Sequence, residues 1–516
     1  MRSNEEVMTL PRLLEKAVQS NPDREAIYDR TRRLTYRQVL EESNRLADAL
    51  TDRGIQKGDR VAVVLPNWHE TVIIYFAVSK IGAILVPFNP KYRLHEVEHI
   101  LKDCRPKLIF IGEEFDHFLG MGVIVPWIHD IVSVRFKKEG TTPFTELIAR
   151  GGALSSVVEL DPLHDDFCIL YTSGTTGLPK GVVLTHYNLV TGARKVASGM
   201  KCTSEDVLII NIPLFHVFGM GSCLISAIIS QMKIVLQDKY SPRGTLELIQ
   251  SEKVTIRNAV PAMFLMELNQ PDFGAYDLSS LRCGLIGGAP VPAELLKNIR
   301  LKMKMEILGG YGLTEVGTVA QTKYADQEKN ILETIGQVLS GTEVKIVNDR
   351  RESVRFGVVG EIACKGFGIV KGYYNAHELT RQAFDGEGWF YTGDLGTLDD
   401  DGYIRFIGRK KEMIIRGGYN IYPQEIEEIL YKHPKVLEAA VIGLPDEVMG
   451  EAVCAAIKLK PGVESTAEEI LEHIKGKLAD YKIPSHIFFV DDFPVTASGK
   501  IQKLKLQQEI IERLEG

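Results

Sequence analysis

The 516-residue sequence lacks the marks of several protein classes. Its seven cysteines, Cys104, Cys168, Cys202, Cys223, Cys283, Cys364 and Cys454, are scattered and form no C-x-x-C pair, which argues against a disulfide framework or a structural zinc site. Basic residues are not in excess: 61 Lys and Arg against 68 Asp and Glu leave a net charge of −7. No global field attracts a polyanion, and nucleic acid is not an expected partner. Long apolar runs are missing too. The one candidate, Val72 to Phe88, is broken by Lys80, Gly82 and Pro87 and suits a buried helix followed by a strand, so no transmembrane segment is expected. The opening MRSNEEVMTLPRLLEKAVQS is acidic and amphipathic and has no continuous apolar stretch of the signal-peptide kind, which makes the cytoplasm the expected compartment. No solenoid-type repeat is present.

What is present is an ordinary globular composition, 45% hydrophobic and 25% charged, in a length that allows about three domains of common size. From Arg60, short β-branched runs alternate with helical stretches. RVAVVLP reads as a strand, Glu70 to Lys80 as a helix and AILVPF as a strand; Leu94, Val97, Ile100 and Leu101 then share one helical face before KLIFIG. Such alternation predicts a parallel, doubly wound sheet. The pattern returns in VLIINIP, KIVLQ, VTIRNAV, CGLIGG and MEILGG, with a helix around Thr245 to Ile249 opened by Ser241 as N-cap and Pro242 in its first turn. Past about Gly336, TEVKIVND, GEIACKG and GYIRFIG read as a smaller, more antiparallel β region. Beyond the charged, glycine-rich GRKKEMIIRGGYN come helix Pro423 to Tyr431, strands VLEAAVIG and AVCAAIKL, helix Ala467 to Leu478 and strand HIFFV, a compact α+β module. The expected fold class is α/β. Residues 1–410 form a large N-terminal domain of two similar doubly wound subdomains plus a small β region, and residues 411–516 a small α+β C-terminal domain.

The densest chemical signal is YTSGTTGLPKG, Tyr171 to Gly181. Thr172, Ser173, Thr175 and Thr176 offer hydroxyls, Gly174 and Gly177 let backbone N–H groups close around phosphate oxygens, and Lys180 adds a movable positive charge. A Walker loop does not fit. Pro179 stands where that motif needs glycine before its lysine, and Val182-Val183-Leu184 reads as a strand where a helix is required. A strand, phosphate loop, strand arrangement is predicted.

Six further motifs follow: PLFHVFG (Pro213 to Gly219), GGAP (Gly287 to Pro290), GGYGLTE (Gly309 to Glu315), YTGD (Tyr391 to Asp394), GRKKEMIIRGGYNIYP (Gly408 to Pro423) and PVTASGK (Pro494 to Lys500). With TSGTTGLPKG they stand in the order found in the adenylate-forming superfamily, which the sequence resembles over essentially its whole length. That family contains acyl-CoA synthetases, the adenylation domains of peptide synthetases and beetle luciferases.

The resemblance implies a role for each motif. ATP or AMP would be held by Thr172, Ser173, Gly174, Thr175, Thr176, Lys180, Gly288, Ala289, Gly310, Tyr311, Gly312, Thr314, Asp394, Arg409 and Lys500, with Tyr311 against adenine, Thr314 on the α-phosphate and Asp394 on the two ribose hydroxyls. Glu315 would hold Mg²⁺, which prefers one or two carboxylates plus phosphate oxygens; taken alone, it would read as a helix-opening charge. Lys500 would bridge the carboxylate and the α-phosphate, where negative oxygens gather in the transition state. Alone it would be a solvated surface lysine. His216 is implied as an aromatic gate between the carboxylate site and the thiol tunnel, helped by the ability of histidine to change partners with its charge. Lys500, His216, Lys411, Thr175 and Glu315 are the catalytic candidates. CoA and the acyl group would meet His216, Gly287, Gly288, Val260, Met263, Gly417 and Gly418.

The activity so implied is that of an ATP-dependent acyl-CoA synthetase with ATP, Mg²⁺ and CoA as cofactor and co-substrates. Carboxylate attack on the ATP α-phosphate gives acyl-adenylate and pyrophosphate, and CoA thiol then displaces AMP. Family members change between the steps by rotating a mobile C-terminal domain about a hinge matched here by Lys411. Pocket candidates Met220, Val260, Met263 and Phe264, with Gly288, are apolar, which favours a medium- to long-chain fatty acid. An aryl-CoA ligase and a free-standing enzyme that loads a carrier protein are the alternatives within the family, and a degenerate ATP-binding regulator the alternative outside it.

Overall fold

The computed structural model describes residues 7–119, 127–152, 158–172, 178–496 and 499–515. Two large sheets dominate. The first runs, in spatial order, through Thr142–Pro143, Asp130–Ser133, Leu108–Ile111, Arg60–Val64, Ile84–Pro87, Asp166–Thr172 and Lys180–Thr185. Its pairs are parallel until the last, which is antiparallel. The second joins Gln337–Val338, Gly317–Gln321, Glu306–Leu313, Cys283–Gly287, Ile256–Arg257, Val207–Ile210, Lys233–Leu236, Glu25–Tyr28 and Arg33–Thr35. The alternation of β-branched runs with helices thus becomes two doubly wound layers, as the sequence predicts.

The halves are less independent than the sequence suggests. Strand Glu25–Tyr28 pairs parallel with Lys233–Leu236 of the second sheet, so the chain enters one layer before it builds the other. VTIRNAV contributes only Ile256–Arg257 as a strand, and the helices expected to reach Tyr431 and Leu478 stop at Leu430 and Ile474. Helix His69–Lys80 is buried from His69 to Ser79. Being apolar on all sides, it belongs inside the core that both sheets share, which accounts for the Val72 to Phe88 run. Among the described residues no helix is long and apolar enough to cross a membrane.

Helix Pro242–Glu252 starts as its sequence dictates: Ser241 accepts a hydrogen bond from the Gly244 N–H, and Pro242 occupies the first turn. Strands Thr342–Val347, Gly360–Gly366, Phe390–Leu398 and Ile404–Arg409 form a separate antiparallel sheet. A short 3₁₀ turn, Lys410–Glu412, leads from it to a final sheet of Ile414–Arg416, Tyr419–Ile421, Val436–Asp446, Gly450–Leu459 and His486–Phe489, flanked by helices Pro423–Leu430, Ala467–Ile474 and Lys503–Glu515. The two apolar clusters of this last unit draw only on residues from Ile414 onward.

Candidate active site

The glycine- and hydroxyl-rich loop joins two antiparallel strands, with Thr172 opposite Lys180. Lys180 opens a strand, not a helix, so the geometry differs from a Walker loop as expected. Ser173, Gly174, Thr175 and Thr176 lie outside the described residues. Beside this hairpin runs Tyr373, bridged to Val182. Its hydroxyl donates to Glu315 Oε1 at 3.0 Å, and Lys180 Nζ lies 5.4 Å from its ring centroid. Burial raises the Glu315 carboxyl above the ordinary range, opposed by the Tyr373 bond and the Lys180 charge.

At the carboxyl ends of two parallel strands of the second sheet, Gly287 is paired in register with Gly310. A side chain at Gly287 would run into the Gly310 carbonyl, and one at Gly312 into that of Gly317. Gly288, with φ of +83°, follows, and half-buried Ala289 comes next. Thr314 is buried. The Tyr311 hydroxyl donates to Asp394 Oδ2 at 2.8 Å, and Arg409, directly across the strand pair from Asp394, holds its Nε 3.4 Å from Oδ1. Burial raises the Asp394 carboxyl, and Arg409 opposes that shift.

Lys500 reaches this place from the other end of the chain. It follows a tight turn closed by Thr496, whose Oγ1 accepts from the Lys500 N–H at 3.1 Å. Its Cε lies 3.6 Å from where a Gly288 side chain would begin, beside Val260. The ammonium makes no hydrogen bond or ion pair among the described residues. Burial and then Arg409 push it down to about 8, against the pull of Asp394 and Glu315. An unpaired, desolvated cation is costly to a fold and characteristic of a functional site.

His216 precedes a π-helical stretch, Phe218–Ile225, a form common at functional sites. The Phe218 N–H donates to Nδ1 at 3.2 Å, which leaves the ring proton on Nε2. Burial, and secondly Lys500, lower His216 to about 3. The shift favours the neutral ring, which gives no support to the charge-dependent change of partners expected from the sequence.

Met220, Val260, Met263 and Phe264 are buried in the core. Directly behind them is a feature the sequence reading missed. Arg257 and Glu267 form a fully buried ion pair at 2.6 Å, with the guanidinium 3.9 Å from Met263 Sδ and 5.4 Å from the Phe264 ring centroid. Tyr373 was missed as well. Its signal is long-range, the isolated bridge it makes to Val182 beside the loop.

Gly417 and Gly418 stand apart from this assembly. Both have positive φ in the exposed turn of the hairpin Ile414–Arg416/Tyr419–Ile421, and the Gly417 N–H donates to Met449 of the same unit. Lys411 is exposed at the centre of the Lys410–Glu412 turn.

The sequence matches the family model described as AMP-binding enzyme over residues 14–374 and that of the AMP-binding enzyme C-terminal domain over residues 425–500. It is 39% identical to the putative acyl-CoA synthetase YngI of Bacillus subtilis (strain 168), over 98% of this chain and 97% of that one. It is 35% identical to the mitochondrial medium-chain acyl-CoA ligase ACSF2 of Mus musculus, over 98% of this chain and 88% of that one. The crystal structure of the anthranilate CoA ligase AuaEII in complex with anthranoyl-AMP superposes with a TM-score of 0.93 at 30% identity, covering 99% of this chain and 98% of the other.

Proposed function

The chain belongs to the AMP-binding enzyme family and is an AMP-forming acid–thiol ligase of the acyl-CoA synthetase type; from that premise we propose that it activates a medium- to long-chain fatty acid through an acyl-adenylate, with Lys500 serving only the first half-reaction. The observation that carries this reading is the unpaired ammonium of Lys500, held beside Gly288 and within the fields of Arg409, Asp394 and Glu315.

In the first step the substrate carboxylate attacks the α-phosphorus, its new P–O bond forming as the bond to pyrophosphate breaks. Both reactants are anionic, and Lys500 supplies a fixed positive charge between them at no reorganisation cost. Asp394, already accepting from Tyr311, has lone pairs left for ribose hydroxyls. The glycine backbones at 287, 288, 310 and 312 leave room for nucleotide and acyl group. Glu315 fits Mg²⁺: a single hard carboxylate, one oxygen engaged by Tyr373, beside a space for phosphate oxygens. A metal ion there would neutralise phosphate charge, and Thr172 and Lys180 would orient the phosphate chain. In the second step CoA thiolate attacks the acyl carbonyl and AMP leaves. Residues 411–516 act as the mobile domain, turning about Lys411 to exchange Lys500 for the Gly417-Gly418 turn, with neutral His216 as the gate. The seven unpaired cysteines fit a reducing compartment such as the cytoplasm.

The apolar character of the buried side chains Met220, Val260, Met263 and Phe264, with Val260 against Gly288, supports an apolar acid, and the likeness to a medium-chain ligase agrees with it. The likeness to an anthranilate ligase favours a second reading, an aryl-CoA ligase. A panel of C6 to C18 fatty acids with benzoate and anthranilate decides between them. CoA-dependent AMP release should be greatest with a fatty acid, and a preference for the aromatic acids would replace that reading by the second.

The lowered pKa of Lys500 sets a pH limit. Its ammonium is present below about 8 and lost above it, so kcat/KM for adenylate formation should fall roughly tenfold per pH unit beyond that point. Lys500→Arg keeps its charge at these pH values and should flatten the alkaline limb, whatever its absolute rate. A limb shared by both proteins would assign the titration to another group.

A further inference from the structure

A cavity of about 300 Å³ opens beside the loop hairpin, lined by Thr172, Lys180, Glu315 and Tyr373 and, at its other side, by Arg351 and Glu361. Arg351 is not part of any motif. It sits in the turn between strands Thr342–Val347 and Gly360–Gly366 of the small antiparallel sheet, with φ of +62°. Its guanidinium lies 4.0 Å from the centroid of the Tyr391 ring and donates from Nη2 to the Gln382 carbonyl at 2.8 Å. No carboxylate pairs with it among the described residues. The ring beneath it is itself fixed, its hydroxyl donating to Asp385 at 2.7 Å.

The cavity's two cations and two carboxylates balance in formal charge, but both carboxylates are already held by donors of the protein. Glu361 is engaged by the Gly393 N–H at 2.9 Å and by Lys410 Nζ at 3.5 Å, and Glu315 by Tyr373. Lys180 and Arg351 are left facing the space from two sides. Two cations and a threonine hydroxyl next to the phosphate loop make a receptor for a polyanion with several tetrahedral oxyanions, since guanidinium binds such groups through paired N–H donors. We propose that Arg351 is a binding residue for the pyrophosphate end of ATP and for pyrophosphate after the first half-reaction. This rests on the acyl-adenylate reading above. Lys500, on the Gly288 side of Glu315, would face the attacking carboxylate, and Arg351 the group that leaves.

The test is pyrophosphate inhibition of the full-length enzyme, measured with saturating acid and CoA. Arg351→Gln should raise the inhibition constant for pyrophosphate about tenfold or more, the loss expected for a charge-assisted contact, and should raise the KM for ATP. Conversion of supplied acyl-adenylate to thioester, in which pyrophosphate takes no part, is the internal control. Arg351→Gly relaxes the positive φ and should lose pyrophosphate affinity equally, which separates the effect from a folding defect. Arg351→Lys should recover part of it. An unchanged inhibition constant in the Gln and Gly variants overturns the proposal while leaving the function intact. A wild-type enzyme that releases no pyrophosphate with any acid overturns the underlying function instead.

Discussion

Lys500→Ala should reduce acyl-adenylate formation by roughly 10²- to 10³-fold, the range seen when one preorganised group that stabilises developing negative charge is removed, while thioester formation from supplied acyl-adenylate stays near the wild-type rate. The asymmetry follows from where the ammonium is and what it lacks. It is half-buried beside Gly288, held below the ordinary lysine range, and without an ion-pair partner among the described residues. Among the described residues no hydrogen bond or ion pair of the fold depends on its ammonium. Removing an unpaired, desolvated cation takes away a cost, so the variant should be at least as stable as the wild type. Its charge matters when carboxylate and phosphate oxygens approach, and the thiol step presents no second anionic phosphate to bridge. Single-turnover measurements of both half-reactions decide the point. Equal losses in the two would remove Lys500 from the division of labour.

How much of this was legible in the sequence depends on the range of the interactions. Local patterns translate directly. The β-branched runs with intervening helical faces become the two large sheets, Ser241-Pro242 starts its helix, and the strand after Lys180 rules out a Walker loop. Asp394 and Arg409 lie fifteen positions apart and face each other across an antiparallel pair, which the sequence did not show because the YTGD segment does not read as a strand by itself. Contacts made across the chain left no such trace. The hairpin at residues 25–35 pairs with a strand about 200 residues later because of how the layers stack, which no window of sequence reports. Tyr373 meets Glu315 only because its segment lies against the loop hairpin. The Arg257–Glu267 pair is invisible for another reason: a strand arginine and a helix glutamate ten residues on read as surface charges until the fold buries both. The lowered pKa of His216 is likewise a consequence of burial and of a lysine nearly 300 residues away.

Those long-range contacts also frame the second large effect, which concerns the connection between the domains. Lys411 lies between two oppositely anchored neighbours. Lys410 binds Asp349 at 2.8 Å and Glu361 at 3.5 Å on the small antiparallel sheet, whereas Glu412, 4.0 Å from Arg409, lies nearer, at 3.5 Å, to Lys503 on the last helix. A rotation of residues 411–516 relative to the rest would therefore concentrate its backbone change at or next to Lys411. The turn Lys410–Glu412 is 3₁₀ here, a form whose φ of about −50° to −70° proline matches, and the first turn of a helix tolerates the missing N–H. Lys411→Pro should accordingly hold the arrangement in which Lys500 is engaged. Adenylate formation should survive within a few-fold, CoA transfer should fall by about 10²-fold or more if it requires the other arrangement, and acyl-adenylate should accumulate on the enzyme. The variant fails at the opposite step from Lys500→Ala, so a shared folding defect cannot produce both patterns. If Lys411→Pro stays folded and slows the two half-reactions in parallel, the pivot is not at Lys411, and the anchors on either side of it are structural ties without a part in the exchange.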